Sequence, residues 1–137
     1  MDRLEVHASL VIPRDPTSPR MARRFISDFC TAARLGEEVC EVAAVLTSEL
    51  VTNAVRYGGS QAVLEARMPG GVLRVSVADD NPDLPVVGEA PDVTAESGRG
   101  VLLVSTLAAR WGIEQLPSGG KAVWFELDAE PEPDITG

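Results

Sequence analysis

The chain has 137 residues, the length of one ordinary domain with a core large enough to fold without disulfide or metal staples. Its 45% apolar and 24% charged residues exclude a disordered or fibrous chain, and no apolar run approaches the ~20 residues of a membrane helix. A net charge of −9 argues against a general nucleic-acid binder, whose affinity comes from neutralising phosphates.

The first 36 residues hold six arginines and four acids, a net of +2, while residues 37–137 hold six basic and seventeen acidic groups, a net of −11. This asymmetry marks the first helix as a docking surface for an acidic partner, against the simpler account of solvated faces. The N-terminus lacks a basic region leading into an apolar stretch and a cleavage site, so a cytoplasmic protein is expected. Cys30 and Cys40 are too few for a disulfide framework and lack metal-ligand spacing; both read as buried or half-buried thiols.

From Leu4 to Ile12 apolar and polar residues alternate, which predicts a half-buried strand with His7 on its exposed face. Ser18 before Pro19 predicts a helix start, with Ser18 as cap, and the helix runs through Phe25, Phe29 and Ala33 to a stop at Gly36. A second helix spans Glu38 to Tyr57, its stripe formed by Val39, Ala43, Leu46, Leu50, Ala54 and Tyr57, and Gly58-Gly59 ends it. Gln61 to Met68 and Val72 to Ala78 read as strands joined by a Pro69-Gly70-Gly71 turn.

Residues 79–97 hold four prolines or glycines, six acids and no base, which suits a functional lid or binding loop. A short apolar helix from Val101 to Ala109 follows. Trp111 to Leu116 and Lys121 to Leu127 then form a hairpin. Residues 128–137, with four acids and two prolines, read as a disordered tail behind a single domain of residues 1–127. The order predicts an α+β fold, a two-layer sandwich of a mainly antiparallel or mixed sheet with helices on one face.

Three groups of residues carry chemistry. On the second helix Asn53 lies about 60° and Glu49 about 100° from the centre of the apolar stripe. They are either a polar boundary or the lining of a pocket, where an amide oxygen can ligate Mg²⁺ and a carboxylate can orient a nucleophile. Gly98-Arg99-Gly100 opens a helix, where backbone N–H groups can meet a phosphate, although ordinary loops look the same. Asp79-Asp80-Asn81-Pro82-Asp83 follows a strand. It cannot be a calcium loop, because Leu84 stands at the required glycine and Ala90 at the bidentate glutamate, so a solvated acidic turn is the alternative.

In this order the three resemble the GHKL ATPase superfamily of gyrase-type topoisomerases, heat-shock chaperones, histidine kinases and anti-sigma-factor serine kinases. Glu49-Leu50-Val51-Thr52-Asn53-Ala54 resembles its N-box, and Val75 to Asp79 the strand entering its DxGxG adenine loop. Ser97 to Leu103 resembles its GxGxx[LF] phosphate loop, and Gly119 to Leu127 its closing strand. The resemblance covers Leu4 to Leu127 and implies a Bergerat-type ATP-binding fold. The small size points to the anti-sigma serine-kinase branch of actinobacterial type.

That resemblance implies Asn53 as the Mg²⁺ ligand, Glu49 as the catalytic base and Asp79 as acceptor for the adenine amino group. Gly98, Arg99 and Gly100 would bind the phosphates of ATP. Asn81 and Asp83 replace both glycines of DxGxG, and Ala122 stands for a threonine often found in the closing strand. The function implied is a Mg-ATP-dependent serine/threonine kinase of a small STAS-type antagonist that also sequesters a sigma factor, in a family that commonly forms homodimers. The alternative is a partner-switching module without significant turnover.

Overall fold

The computed structural model describes residues 7–57, 61–81 and 104–129. The elements are β1 (His7–Pro13), α1 (Ser18–Ala32), α2 (Glu37–Tyr57), β2 (Gln61–Arg67), β3 (Val72–Asp79), β4 (Arg110–Gln115) and β5 (Lys121–Asp128). The strands form one five-stranded sheet in the order β1-β2-β3-β5-β4, every neighbouring pair antiparallel. This is the expected α+β architecture.

Strict alternation decides which sheet face meets the helices. Ala62, Leu64 and Ala66 of β2, Leu73, Val75 and Val77 of β3, and Val123, Phe125 and Leu127 of β5 are all buried. Against them pack Ala22, Ile26 and Phe29 of α1 and Ala43, Leu46, Leu50, Val51 and Ala54 of α2, making one core. Gly70 and Gly71, at φ 57° and 79°, turn β2 into β3 in the left-handed region where a side chain would strain the backbone. Cys30 is buried and Cys40 half-buried, both as free thiols. Burial, and then the neighbouring Cys40, push the Cys30 thiol up to about 12.

Several boundaries shift from expectation by a residue or more, and four bear on the fold. Thr17, not Ser18, holds the cap position of α1 and makes no side-chain cap bond. Its N–H and hydroxyl instead donate to Asp15 Oδ1 at 2.8 and 2.6 Å, and the buried Ser18 hydroxyl donates to the Pro13 carbonyl at 2.7 Å. Secondly, α1 ends at Ala32 rather than near Gly36, because Arg34 takes the left-handed conformation at φ 62°. The Leu35 N–H returns to the Cys30 carbonyl and the Arg34 N–H to that of Thr31, which satisfies the helix end without glycine.

Thirdly, the helix expected to run from Val101 to Ala109 ends at Leu107, since Ala109 already bonds to the Glu126 carbonyl, and its expected start lies outside the described residues. Finally, β5 continues to Asp128. The expected start of the first strand at Leu4, the Gly58-Gly59 stop and the tail from residue 130 lie outside the described residues.

Candidate functional site

Helix α2 presents the first two candidates. Its buried positions run from Leu46 through Leu50, Ala43, Ala54, Thr47, Val51 and Ala44 to Ser48. This arc spans about 200° and is centred near Thr47, at 100° per residue. It is wider than the sequence stripe because α1 packs along one side of α2 while the sheet lies beneath. On this observed centre Asn53 stands about 120° and Glu49 about 160° away. Yet both are half-buried, whereas Glu41 and Val45, at matching angles on the opposite side, are exposed. The Glu49 and Asn53 edge is therefore sheltered where its mirror is not.

Topology brings the end of α2 to one end of the sheet. Residue 57 closes α2, β2 begins at Gln61, and Ala62 pairs with Asp79. Arg14, following β1, fixes the same corner: its Nε and Nη2 donate to the Val55 and Arg56 carbonyls at 2.8 and 3.1 Å. The last turns of α2, which carry Asn53, thus lie over the sheet end that holds Asp79.

Asp79 is buried and does not stand alone. Its Oδ1 accepts the Lys121 ammonium at 3.0 Å and the Asn81 N–H at 2.8 Å, and Lys121 also donates to the Asn81 carbonyl at 3.1 Å. The two side chains are only 5% and 8% exposed. The neighbour Gly120 is pressed against the same backbone. A Cβ there would sit 2.0 Å from the Asp79 carbonyl oxygen and 2.8 Å from the Asp80 Cα, so no side chain fits without moving main chain.

The closing strand β5 supplies the residue opposite Asp79. Lys121 is its partner in register, while Ala122 pairs with Ala78, whose alternation places it on the other face. Lys121 and Gly120 were missed by sequence reasoning, although one signal was available: Lys121 is the only lysine among twelve basic residues, and it opens an apolar strand. Gly98, Arg99, Gly100 and Asp83 lie outside the described residues. Among the described residues no cluster of three or more His, Cys, Asp or Glu side chains could hold a metal, and no helix is long and apolar enough to cross a membrane.

The sequence profile of the histidine kinase-like ATPase domain matches residues 12–127, nearly the whole chain. The chain belongs to this family. An uncharacterised protein of Streptomyces coelicolor is 36% identical over 91 residues, which are 64% of this chain and 86% of that one. Among solved structures, the RsbU and RsbW domains of Rv1364c from Mycobacterium tuberculosis superpose with a TM-score of 0.70 at 18% identity. That likeness covers 95% of this chain and 34% of the other, so this chain spans about a third of the solved mycobacterial chain. The histidine kinase domain of the Erythrobacter litoralis EL346 blue-light activated kinase superposes with a TM-score of 0.52 at 22% identity, over 85% of this chain and 61% of that one. These structural likenesses are likenesses of fold, and they agree with a member of the GHKL superfamily.

Proposed function

We propose that the protein is a Mg-ATP-binding regulator of the anti-sigma-factor serine/threonine kinase type, which phosphorylates a small STAS-type antagonist and sequesters a sigma factor. The observation that carries this reading is the sheltered edge of α2, where Glu49 and Asn53 stay half-buried far from the core-facing centre. The family match and the RsbW-domain likeness support it.

The donor chemistry fits the group. Asn53 offers a neutral amide oxygen, a suitable hard ligand for Mg²⁺. Asp79 would accept the adenine amino group, and Gly98, Arg99 and Gly100 would bind phosphate through backbone N–H groups and a guanidinium. Bound Mg-ATP would supply the transferable phosphoryl group. Glu49 would take the proton from the hydroxyl oxygen of the substrate serine or threonine. The exposed Arg20, Arg23 and Arg24 of α1 would dock an acidic partner. A partner-switching module without turnover is the second reading, favoured by Asn81, whose N–H and carbonyl are both engaged where the family motif has glycine.

Phosphotransfer to candidate antagonists, with ATP binding followed separately, tests this reading. Glu49→Gln should leave ATP affinity nearly unchanged and slow transfer by about 10²–10⁴-fold, the usual contribution of a positioned base. Near wild-type transfer by this variant would remove Glu49 from catalysis. No transfer by the wild type, with partner binding intact, would select the second reading.

A further inference from the structure

The buried pair of Lys121 and Asp79 calls for an explanation beyond stability. A buried ion pair gains little over two apolar side chains of the same volume, because desolvation offsets the attraction. Its hydrogen-bond capacity is also incompletely used. An ammonium carries three donors, and two of those of Lys121 go to Asp79 Oδ1 and the Asn81 carbonyl. Asp79 Oδ1 accepts two bonds, whereas Oδ2 accepts none among the described residues. The Asn81 N–H holds the carboxylate in place, and Gly120 packs closely against the main chain that carries it. One donor and one acceptor therefore stand side by side, fixed, at the sheet end below the last turns of α2.

Adenine presents the complement of that pair on one edge, with the N1 acceptor adjacent to the N6 amino donor. We propose that Lys121 is a base-reading residue, its remaining N–H donating to adenine N1 while Asp79 Oδ2 accepts from the N6 amino group. This rests on the ATP-binding reading above and adds to it a direct, charged donor for N1 from the closing strand. A hydrogen bond from a charged donor to a neutral acceptor changes affinity by about 10- to 100-fold.

The test compares ATP with 1-deaza-ATP, in which a ring C–H replaces N1, by calorimetric titration in the presence of Mg²⁺. The wild type should prefer ATP by about 10- to 100-fold, and Lys121→Met should reduce that preference to within about twofold. Because Lys121→Met leaves a buried carboxylate unpaired, Asp79→Asn/Lys121→Met, with no charge at the site, makes the same comparison should the single variant not fold. The single lysine offers a readout on the unaltered chain: the one ¹⁵N-labelled ammonium signal should shift with ATP and stay with 1-deaza-ATP. Equal affinity of the wild type for both nucleotides, or a preference that survives loss of Lys121, overturns the proposal alone. No binding of ATP at millimolar concentration overturns the nucleotide reading and this inference together.

Discussion

Thr47 is wholly buried on α2, and its hydroxyl meets no hydrogen-bond partner among the described residues. A buried hydroxyl without a partner costs about 1–3 kcal/mol. Thr47→Val keeps the shape and removes the cost, so it should stabilise the protein by about 1 kcal/mol. Urea unfolding will read this as a higher midpoint at an unchanged slope. A lower midpoint would show that a buried water satisfies the hydroxyl. Lys121 is the opposite case at the same scale, a buried charge with two described partners and capacity for a third. One is a polar group tolerated in the core without a described partner; the other keeps donor capacity beyond its two described partners.

Helix ends show how elements are positioned here. The α1–α2 connection closes with Arg34 at φ 62°, a conformation that costs a non-glycine residue about 1 kcal/mol. Arg34→Gly should therefore raise stability by about 0.5–1 kcal/mol and the melting temperature by a few degrees. A fall in melting temperature would mean that the Arg34 side chain contributes more than its backbone strain removes. At the other end of α2 the Val55 and Arg56 carbonyls are met by Arg14 from the β1–α1 connection. That bond ties the helix end carrying Asn53 to the first strand, so the candidate site is braced by the opening of the chain.

The sheet face away from the helices is held by a charge cluster joining three strands of the molecule. Glu126 of β5 meets Arg74 of β3 at 2.9 Å and Arg110 of β4 at 2.6 Å, and Arg110 also meets Asp128. Arg74 lies 4.2 Å from the Trp124 ring centre, and Gly112 leaves room for that ring, since a Cβ there would come within 2.7 Å of it. The Arg110 hydrogen bond, aided by Arg74, holds the Glu126 carboxyl below its ordinary value. Its contribution to stability is then fully present above the ordinary glutamate range, near pH 4.3, and is lost as pH falls through the lowered value. Glu126→Gln should be less stable than wild type at pH 7 by about 1 kcal/mol, and the gap should close toward pH 3. Thermal unfolding across that range measures it; a gap that stays constant would assign the loss to packing.

Much of the fold was legible from local pattern. Alternation located the first strand, turn residues between short runs located the other four, and the 3.6-residue period located both long helices to within a few residues of their ends, because burial on one face imposes those periods on any sequence. The spacing of Glu49 and Asn53 put them on one helical edge, which needs only helix geometry. Three things required the tertiary structure. The true centre of α2 depended on α1 packing beside it, a contact the stripe of α2 does not encode. The residue facing Asp79 depended on strand register, where a slip of one position exchanges Lys121 for Ala122 and turns the side chain to the other face. The glycine at position 120 read as part of a turn, whereas main chain from β3, forty residues earlier in sequence, is what leaves no room there for a side chain. Periodicity is a property of neighbours along the chain; register and close approach belong to residues that meet only when it folds.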